Sequence, residues 1–460
     1  MMPETENPAP LKTPSFVLPI PASPAIISID LPDPTPLFSA VNSKEKLSHL
    51  QQVSCHKDQL RPQYEVSDIF SLYGEDYRQT HNLTQDQLNI MYAICNCRTE
   101  AYGFHADMCD NCGHIETAYN SCRNRHCPKC QGIARRKWVK ARLDELLPVA
   151  YHHVTFTLPN QLSRLSLHNQ KLIYDLLFDA ASQTLLSFGD DPKWLGAKIG
   201  FYGILHTWSQ TLWPHAHTHF IVTAGGLTDN GKWVEPKYKG KFLFPVKALS
   251  IVFRGKFIEG LKKVYYASKL VLPDNLNIKD ADEFEQWINR LVSRNWVVNS
   301  KPPFAGPEEV VRYIGRYTHR VAISNSRILS IENGQVRFSY KDNKEKDKGK
   351  MRKEMVLPAD QFIERFLLHV LPSRYHRIRH YGFLTNGKKK ANLEIIRQSF
   401  SSQEDVETST KTTTDNSDGI TCPKCKKGKL RPFLVTDRYN QILKFDVSMF
   451  IKHEECNNTS

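Results

Sequence analysis

The run His215-Ala-His-Thr-His219, which continues directly into Phe220-Ile-Val-Thr-Ala-Gly-Gly226, constrains the fold of this chain more than any other stretch. Side chains alternate between the two faces of a β-strand. Read as a strand, the run projects His215, His217 and His219 from one side and Ala216, Thr218 and Phe220 from the other. The apolar Phe-Ile-Val suits a buried central strand, and Gly225-Gly226 ends it. Imidazoles two residues apart on one strand face stand about 6–7 Å apart along the backbone and can share one metal ion. Much later, Tyr313-Ile-Gly-Arg-Tyr317 sets two phenols at helical i,i+4 spacing. A histidine-held metal beside a tyrosine nucleophile is chemistry suited to phosphodiester transfer.

Length and charge bound the rest. The 460 residues leave room for two or three domains and a sizeable core. A formal net charge of +14 favours a polyanionic partner, although charge says nothing about fold. No apolar run reaches the length of a membrane span, and the N-terminus lacks the basic-then-apolar order of a signal peptide. The eleven cysteines are clustered, mostly at CxxC spacing, with Cys55 alone. Without an export signal such pairs read as metal ligands rather than disulfides, and the expected compartment is the cytoplasm.

Residues 1–45 carry ten of the 26 prolines and little periodicity, and are expected to be a disordered leader. Residues 46–147 are expected to form a helical and zinc-binding domain, with Thr84-Gln-Asp-Gln87 at capping-box spacing and a basic amphipathic helix from Gln131 to Leu147. Over 148–400 the pattern changes. His153–Leu158 alternates like a strand that Pro159 stops, a helix is expected near 160–187, and Lys198–Leu205 reads as a strand leading to the histidines. Helical patterns recur near 246–268 and 281–293, before a short strand at Trp296–Asn299. Pro307-Glu-Glu309 opens the tyrosine helix, since proline suits the first turn and acids suit its positive end. Arg320–Ser324, Arg327–Ile331 and Gln335–Tyr340 then read as strands. This order predicts an α+β fold, an antiparallel sheet with helices packed on one face. Residues 401–420 are expected to be a linker, and 421–460 a small zinc ribbon or tail built on Cys422, Cys425, His453 and Cys456.

Cys109-x-x-Cys112 and Cys127-x-x-Cys130 supply four thiolates, each pair able to clamp one side of a tetrahedral zinc. Cys97, His105, Cys122 and His126 lie in the same window and can complete a second site, with Cys95 left over. Closed four-ligand sites hold small folds together and rarely do chemistry. Arg123, Arg125, Arg135 and Arg136 make this region a candidate DNA-binding element; a solvated basic face is the plain alternative.

For the metal and the phenols, the physical case is as follows. A DNA phosphodiester resists nucleophiles because its oxygens are negatively charged, and a divalent ion on one of them neutralises that charge. Neutral imidazoles bind Mg²⁺ or Mn²⁺ through one nitrogen each and leave positions open. His217 and His219 are the first candidates, with His215 as a third ligand or a DNA contact. Tyr313 and Tyr317 share a helix face, and Arg316 and Arg320 can neutralise neighbouring phosphates. Val310, Tyr313, Ile314 and Tyr317 also form the stripe of an ordinary packed helix. The joint occurrence with the histidine strand, in a basic chain rich in CxxC, favours the catalytic reading.

These stretches resemble the rolling-circle insertion-sequence transposases of the two-tyrosine HUH class. The likeness is carried by Tyr119–Gln131, Val154–Pro159, Leu205–Leu212, Phe253–Phe257, Tyr313–Ile323 and Phe366–Pro372, and spans roughly residues 90–385. It implies an N-terminal zinc-binding domain with structural Zn²⁺ followed by an HUH nuclease domain. It also implies attack by tyrosine on single-stranded DNA at the transposon ends, forming a 5′-phosphotyrosine, with target DNA as the other partner. Carried onto this chain, the metal ligands are His217 and His219 and the nucleophiles Tyr313 and Tyr317. The family's usual proline between the first two histidines is replaced by Ala216, with Pro214 standing before His215. No helicase-like P-loop is present, so strand displacement is expected to depend on host replication machinery in the bacterial nucleoid. The competing readings are a plasmid replication initiator or relaxase with the same chemistry, and a non-catalytic zinc-dependent DNA-binding protein.

Overall fold

The computed structural model describes residues 62–237, 243–301, 309, 311–312, 315, 318, 321–342, 345, 351–401, 420–439 and 441–446. The expected leader lies outside these residues, as does the expected linker apart from its two end residues. Helices α1 (Val66–Thr80) and α2 (Gln85–Cys95) come first, and the capping box read at Thr84 is present. There Gln87 N–H donates to Thr84 Oγ1 and Thr84 N–H to Gln87 Oε1, meeting two otherwise orphaned donors. A hairpin of β1 (Phe104–Cys109) and β2 (Ile115–Tyr119) precedes the basic helix α3 (Gln131–Leu143).

The middle of the chain builds one antiparallel sheet. Strand β3 (Tyr151–Thr157) is followed by α4 (Ser163–His168) and α5 (Gln170–Asp190), then by β4 (Gly200–Trp208) and the histidine strand β5 (Pro214–Thr223). A small pair, β6 (Gly226–Leu227) and β7 (Trp233–Val234), leads to α6 (Val246–Tyr266), α7 (Ala281–Val292) and β8 (Val297–Lys301). After a three-stranded unit of β9 (Ile328–Glu332), β10 (Gln335–Lys341) and β11 (Arg352–Pro358) come α8 (Ala359–Leu367), β12 (Ile378–Gly382) and α9 (Lys389–Ser401). Strands β13 (Ile420–Thr421), β14 (Lys429–Thr436) and β15 (Ile442–Phe445) close the described chain.

The central sheet runs β12-β4-β5-β3-β8 with every pairing antiparallel, so the histidine strand lies at its middle. One face is dry: Phe156, Phe201, Phe220 and Val222 pack on Leu177 and Phe178 of α5 and Phe253 and Phe257 of α6. That is the α+β arrangement the strand order predicts, except that helices cover both faces: Tyr202, Ile204 and Ile221 of the opposite face pack with Leu393 and Ile396 of α9. The opposite face carries His217 and His219, because alternation along β5 leaves them no other side.

Three expectations change. Val321–Ser324, the described part of the strand expected at Arg320–Ser324, pairs with no strand among the described residues; Val321, Ala322 and Ile323 instead bury their side chains from irregular backbone. The domain boundary expected at 147/148 does not separate cores. Ile69, Phe70, Met91 and Ile94 of the first helices share a cluster with Phe338, Phe362, Ile363 and Phe366, and the Phe70 and Phe366 rings meet edge-on at 5.4 Å. Nor is the described part of the zinc ribbon or tail expected at 421–460 self-contained, while His453 and Cys456 lie outside the described residues. β14 pairs along β1, giving the order β13-β14-β1-β2, with β15 against β14. Among the described residues no helix is long and apolar enough to cross a membrane.

Candidate metal centre and thiolate clusters

Register decides which histidines meet. On β5, His217 lies opposite His206 of β4, and His219 sits between Ile204 of β4 and Thr155 of β3. The donor nitrogens of His206, His217 and His219 all fall within 4.8 Å of one another. Three neutral imidazoles at that spacing suit one divalent ion with coordination positions left over. His206 and His219 are buried and His217 is half-buried. A shift in register between His206 and Trp208 leaves the two rings stacked, 4.8 Å apart, which limits how far His206 can swing.

The third histidine of the set is therefore His206; His215, expected as a third ligand or a DNA contact, is not part of the group. His215 lies one step further along β5, outside the cluster, with its carbonyl accepting a hydrogen bond from His217 Nδ1 at 2.7 Å. The reason is position: His206 meets both rings, 5.4 Å from His217 and 4.8 Å from His219, whereas His215 stands four residues from His219, about 13 Å along the strand. The signal was present in the sequence, since a hairpin turn at Ser209–Leu212 folds His206 back onto His217.

Hydrogen bonds fix which nitrogen each ligand offers. A carbonyl can only accept, so His217 carries its proton on Nδ1 and presents Nε2. His219 Nδ1 lies 2.9 Å from His153 Nε2 and 3.2 Å from Thr155 Oγ1, both on β3. Burial, with Lys301 nearby adding a smaller push, lowers the His153 pKa to about 4 and keeps that ring neutral. It can then accept from His219 Nδ1–H and leave His219 Nε2 for a metal. Neither His153 nor Thr155 was read from the sequence, because their role depends on the β3–β5 register.

Tyr313, Tyr317, Arg316 and Arg320 lie outside the described residues. Around them Val311, Arg312, Gly315 and Thr318 are helical, as expected, with Val311 and Thr318 fully buried. Gly315 is pressed against α3: a Cβ there would stand 2.3 Å from Val139 Cγ2.

The cysteines pair otherwise than expected. Cys109 and Cys112 do not meet Cys127 and Cys130. Instead Cys97, Cys122, Cys127 and Cys130 form one group, and Cys109, Cys112, Cys422 and Cys425 another. His105 is engaged by Asn120 Oδ1 at 2.9 Å, and His126 is buried apart from both groups. In the first group Cys130 stands 3.4 Å from Cys97 and 3.5 Å from Cys122, and hydrogen bonds from the Cys122, Cys127 and Cys97 thiols hold Cys130 well below the ordinary thiol range. The basic residues divide as well. Arg123, Arg135 and Arg136 are exposed, whereas Arg125 donates to the carbonyls of Leu371, Pro372 and Tyr375 at 3.0, 2.7 and 2.6 Å. Its guanidinium is committed to holding that turn.

Residues 200–392 match the family described as "Putative transposase", and residues 69–158 match the "Transposase zinc-binding domain". "Putative transposase y4qJ" of Sinorhizobium fredii is 47% identical over 336 residues, covering 72% of this chain and 83% of that protein. The chain belongs to the two-tyrosine HUH family of rolling-circle insertion-sequence transposases. A more distant relative, "Transposase for insertion sequence element IS801" of Pseudomonas savastanoi pv. phaseolicola, is 26% identical over 71% of this chain and 78% of its own. The solved conjugative relaxase TrwC, in a metal-bound complex with oriT DNA, is 15% identical, covering 36% of this chain and 70% of that one, with a TM-score of 0.21. That likeness is too slight to bear on the site. The transposase is a DNA-cleaving enzyme and contains a zinc-binding domain.

Proposed function

We propose that this transposase cleaves and rejoins single-stranded DNA at the ends of its element, with Tyr313 and Tyr317 as nucleophiles and a 5′-phosphotyrosine as the intermediate. The observation that carries the reading is the convergence of His206, His217 and His219 on the face of the central sheet opposite α5 and α6. A divalent ion held there, Mg²⁺ or Mn²⁺, would neutralise charge on a non-bridging oxygen of the scissile phosphate. The phenolate oxygen of a tyrosine forms a bond to phosphorus while the bond from phosphorus to the 3′-oxygen breaks. The phenol's proton passes to solvent, and the departing 3′-oxygen takes one up. The new linkage keeps the energy of a phosphodiester, so a later 3′-hydroxyl can reverse the step without a nucleotide cofactor. Two phenols allow two strands to be transferred in turn, to target DNA in the second step.

His153 and Thr155 orient the His219 ring, and the His215 carbonyl orients His217. The exposed Arg123, Arg135 and Arg136 supply phosphate contacts, and host replication machinery supplies strand displacement. The deciding experiment incubates the transposase with Mn²⁺ and an end-derived single-stranded oligonucleotide. A covalent protein–DNA adduct is expected, and it should vanish in the Tyr313→Phe, Tyr317→Phe double variant. Tight binding with no adduct under any metal would instead identify a DNA-binding protein without nuclease chemistry.

A further inference from the structure

The second thiolate group joins parts of the chain that lie far apart. Cys109 and Cys112 end strand β1 and begin its turn, whereas Cys422 and Cys425 sit about three hundred residues later, beyond residue 392 where the family match stops. Cys109 Sγ lies 3.7 Å from Cys425 Sγ, and Cys112 Sγ lies 3.7 Å from Cys422 Sγ. All four sulfurs fall within 4.8 Å of one another. A disulfide needs about 2.05 Å, so these are not bonded pairs. Four thiolates at about 2.3 Å from one zinc stand about 3.8 Å apart along each edge of the tetrahedron, which is the spacing observed.

The surroundings are built for close approach. Backbone N–H groups of Asn111 and Cys112 point at Cys109 Sγ at 3.4 and 3.5 Å, and that of Gly428 points at Cys425 Sγ at 3.3 Å. Such bonds stabilise thiolate over thiol. Gly428 lies where the two turns touch: a Cβ there would stand 2.5 Å from both Cys109 Sγ and Asn111 Cβ. Asp110 locks the contact, accepting from Lys429 N–H at 2.7 Å and from Arg431 Nε at 3.1 Å. Cys109 and Cys422 are buried with Leu430 in a small cluster of their own.

We propose that Cys109, Cys112, Cys422 and Cys425 together bind one zinc ion, which fastens the C-terminal strands to the first hairpin and so joins the two ends of the described chain. Neither CxxC is a site by itself; each is half of one. The ion closes a loop that contains the whole central sheet, and it is distinct from the ion suited to Cys97, Cys122, Cys127 and Cys130.

Zinc content per folded, full-length chain tests this. Two zinc ions are expected in the parent. The Cys422→Ser, Cys425→Ser variant and the Cys109→Ser, Cys112→Ser variant should each retain one. The quadruple variant should also retain one, because both pairs serve the same ion. Two zinc ions in either double variant, one in the parent, or none in the quadruple variant would overturn the assignment. Cys425→His guards against misfolding of the serine variants. With Co²⁺ in place of zinc, it should keep both ions and lose one thiolate's share of the charge-transfer absorbance; an unchanged spectrum would also overturn the proposal.

Discussion

His219 shows how much one side chain depends on its neighbours. Its ring can present Nε2 to a metal only while Nδ1 has a partner, and His153 is that partner at 2.9 Å. Groups that orient a metal's ligands typically contribute 10- to 100-fold in affinity. His153→Ala should therefore weaken Mn²⁺ binding by about that factor, as titration calorimetry would report, whereas His153→Gln keeps an acceptor and should recover most of it. A second contrast separates the two histidines that flank the pair. His206→Ala should abolish measurable Mn²⁺ binding, and His215→Ala should leave it nearly intact, since only the His215 backbone carbonyl is used. Equal losses in the two variants would return His215 to the ligand set.

Among the elements, α3 and the stretch before it divide the basic residues between structure and DNA. Arg125 satisfies three carbonyls in the 371–375 turn, so Arg125→Ala should cost about 2–3 kcal/mol in urea unfolding, with little change in the salt dependence of DNA binding. Arg135 and Arg136 are exposed on α3, and replacing both with alanine should do the reverse. Stability should hold while the slope of log affinity against log salt falls by about 1.4 units for single strands. Sequence reading grouped all these arginines together because charge is visible in a sequence and its burial is not. The capping box of α2 was legible because its partners are three residues apart. Strand β12, Ile-Arg-His-Tyr-Gly, was not legible. It lies at the sheet edge and takes its polar residues into contacts such as that of Arg379 with Asp175, which erases the apolar alternation.

At the scale of the whole molecule, the buried histidines set an acid limit. Burial pushes His369 down to about 4 from an ordinary 6.5, while its Nε2 lies 2.9 Å from the Leu212 carbonyl. The unfolded chain takes up that proton more readily, so the stabilisation is complete above about pH 6.5 and is lost as pH falls towards 4. His126 and His380 are lowered in the same sense, to about 3 and about 4, so their contributions disappear over the same range. Unfolding free energies from urea titrations should accordingly drop between pH 6.5 and 4, by up to about 3 kcal/mol for His369, and His369→Gln should remove that share of the slope. A flat profile in the parent would show these rings to be protonated in the folded chain.

The sequence by itself determined the materials: a strand that puts alternate histidines on one face, phenols at helical spacing, and CxxC turns that each clamp half a metal. These are local properties, written in neighbours two to four residues apart. Tertiary structure decided the partnerships. His206 rather than His215 completes the imidazole set because the antiparallel pairing of β4 with β5 sets His206 against both His217 and His219, whereas His215 can reach only the nearer of them. Cys109 and Cys112 face Cys422 and Cys425 because β14 pairs with β1, and a register between strands three hundred residues apart leaves no trace in either strand alone.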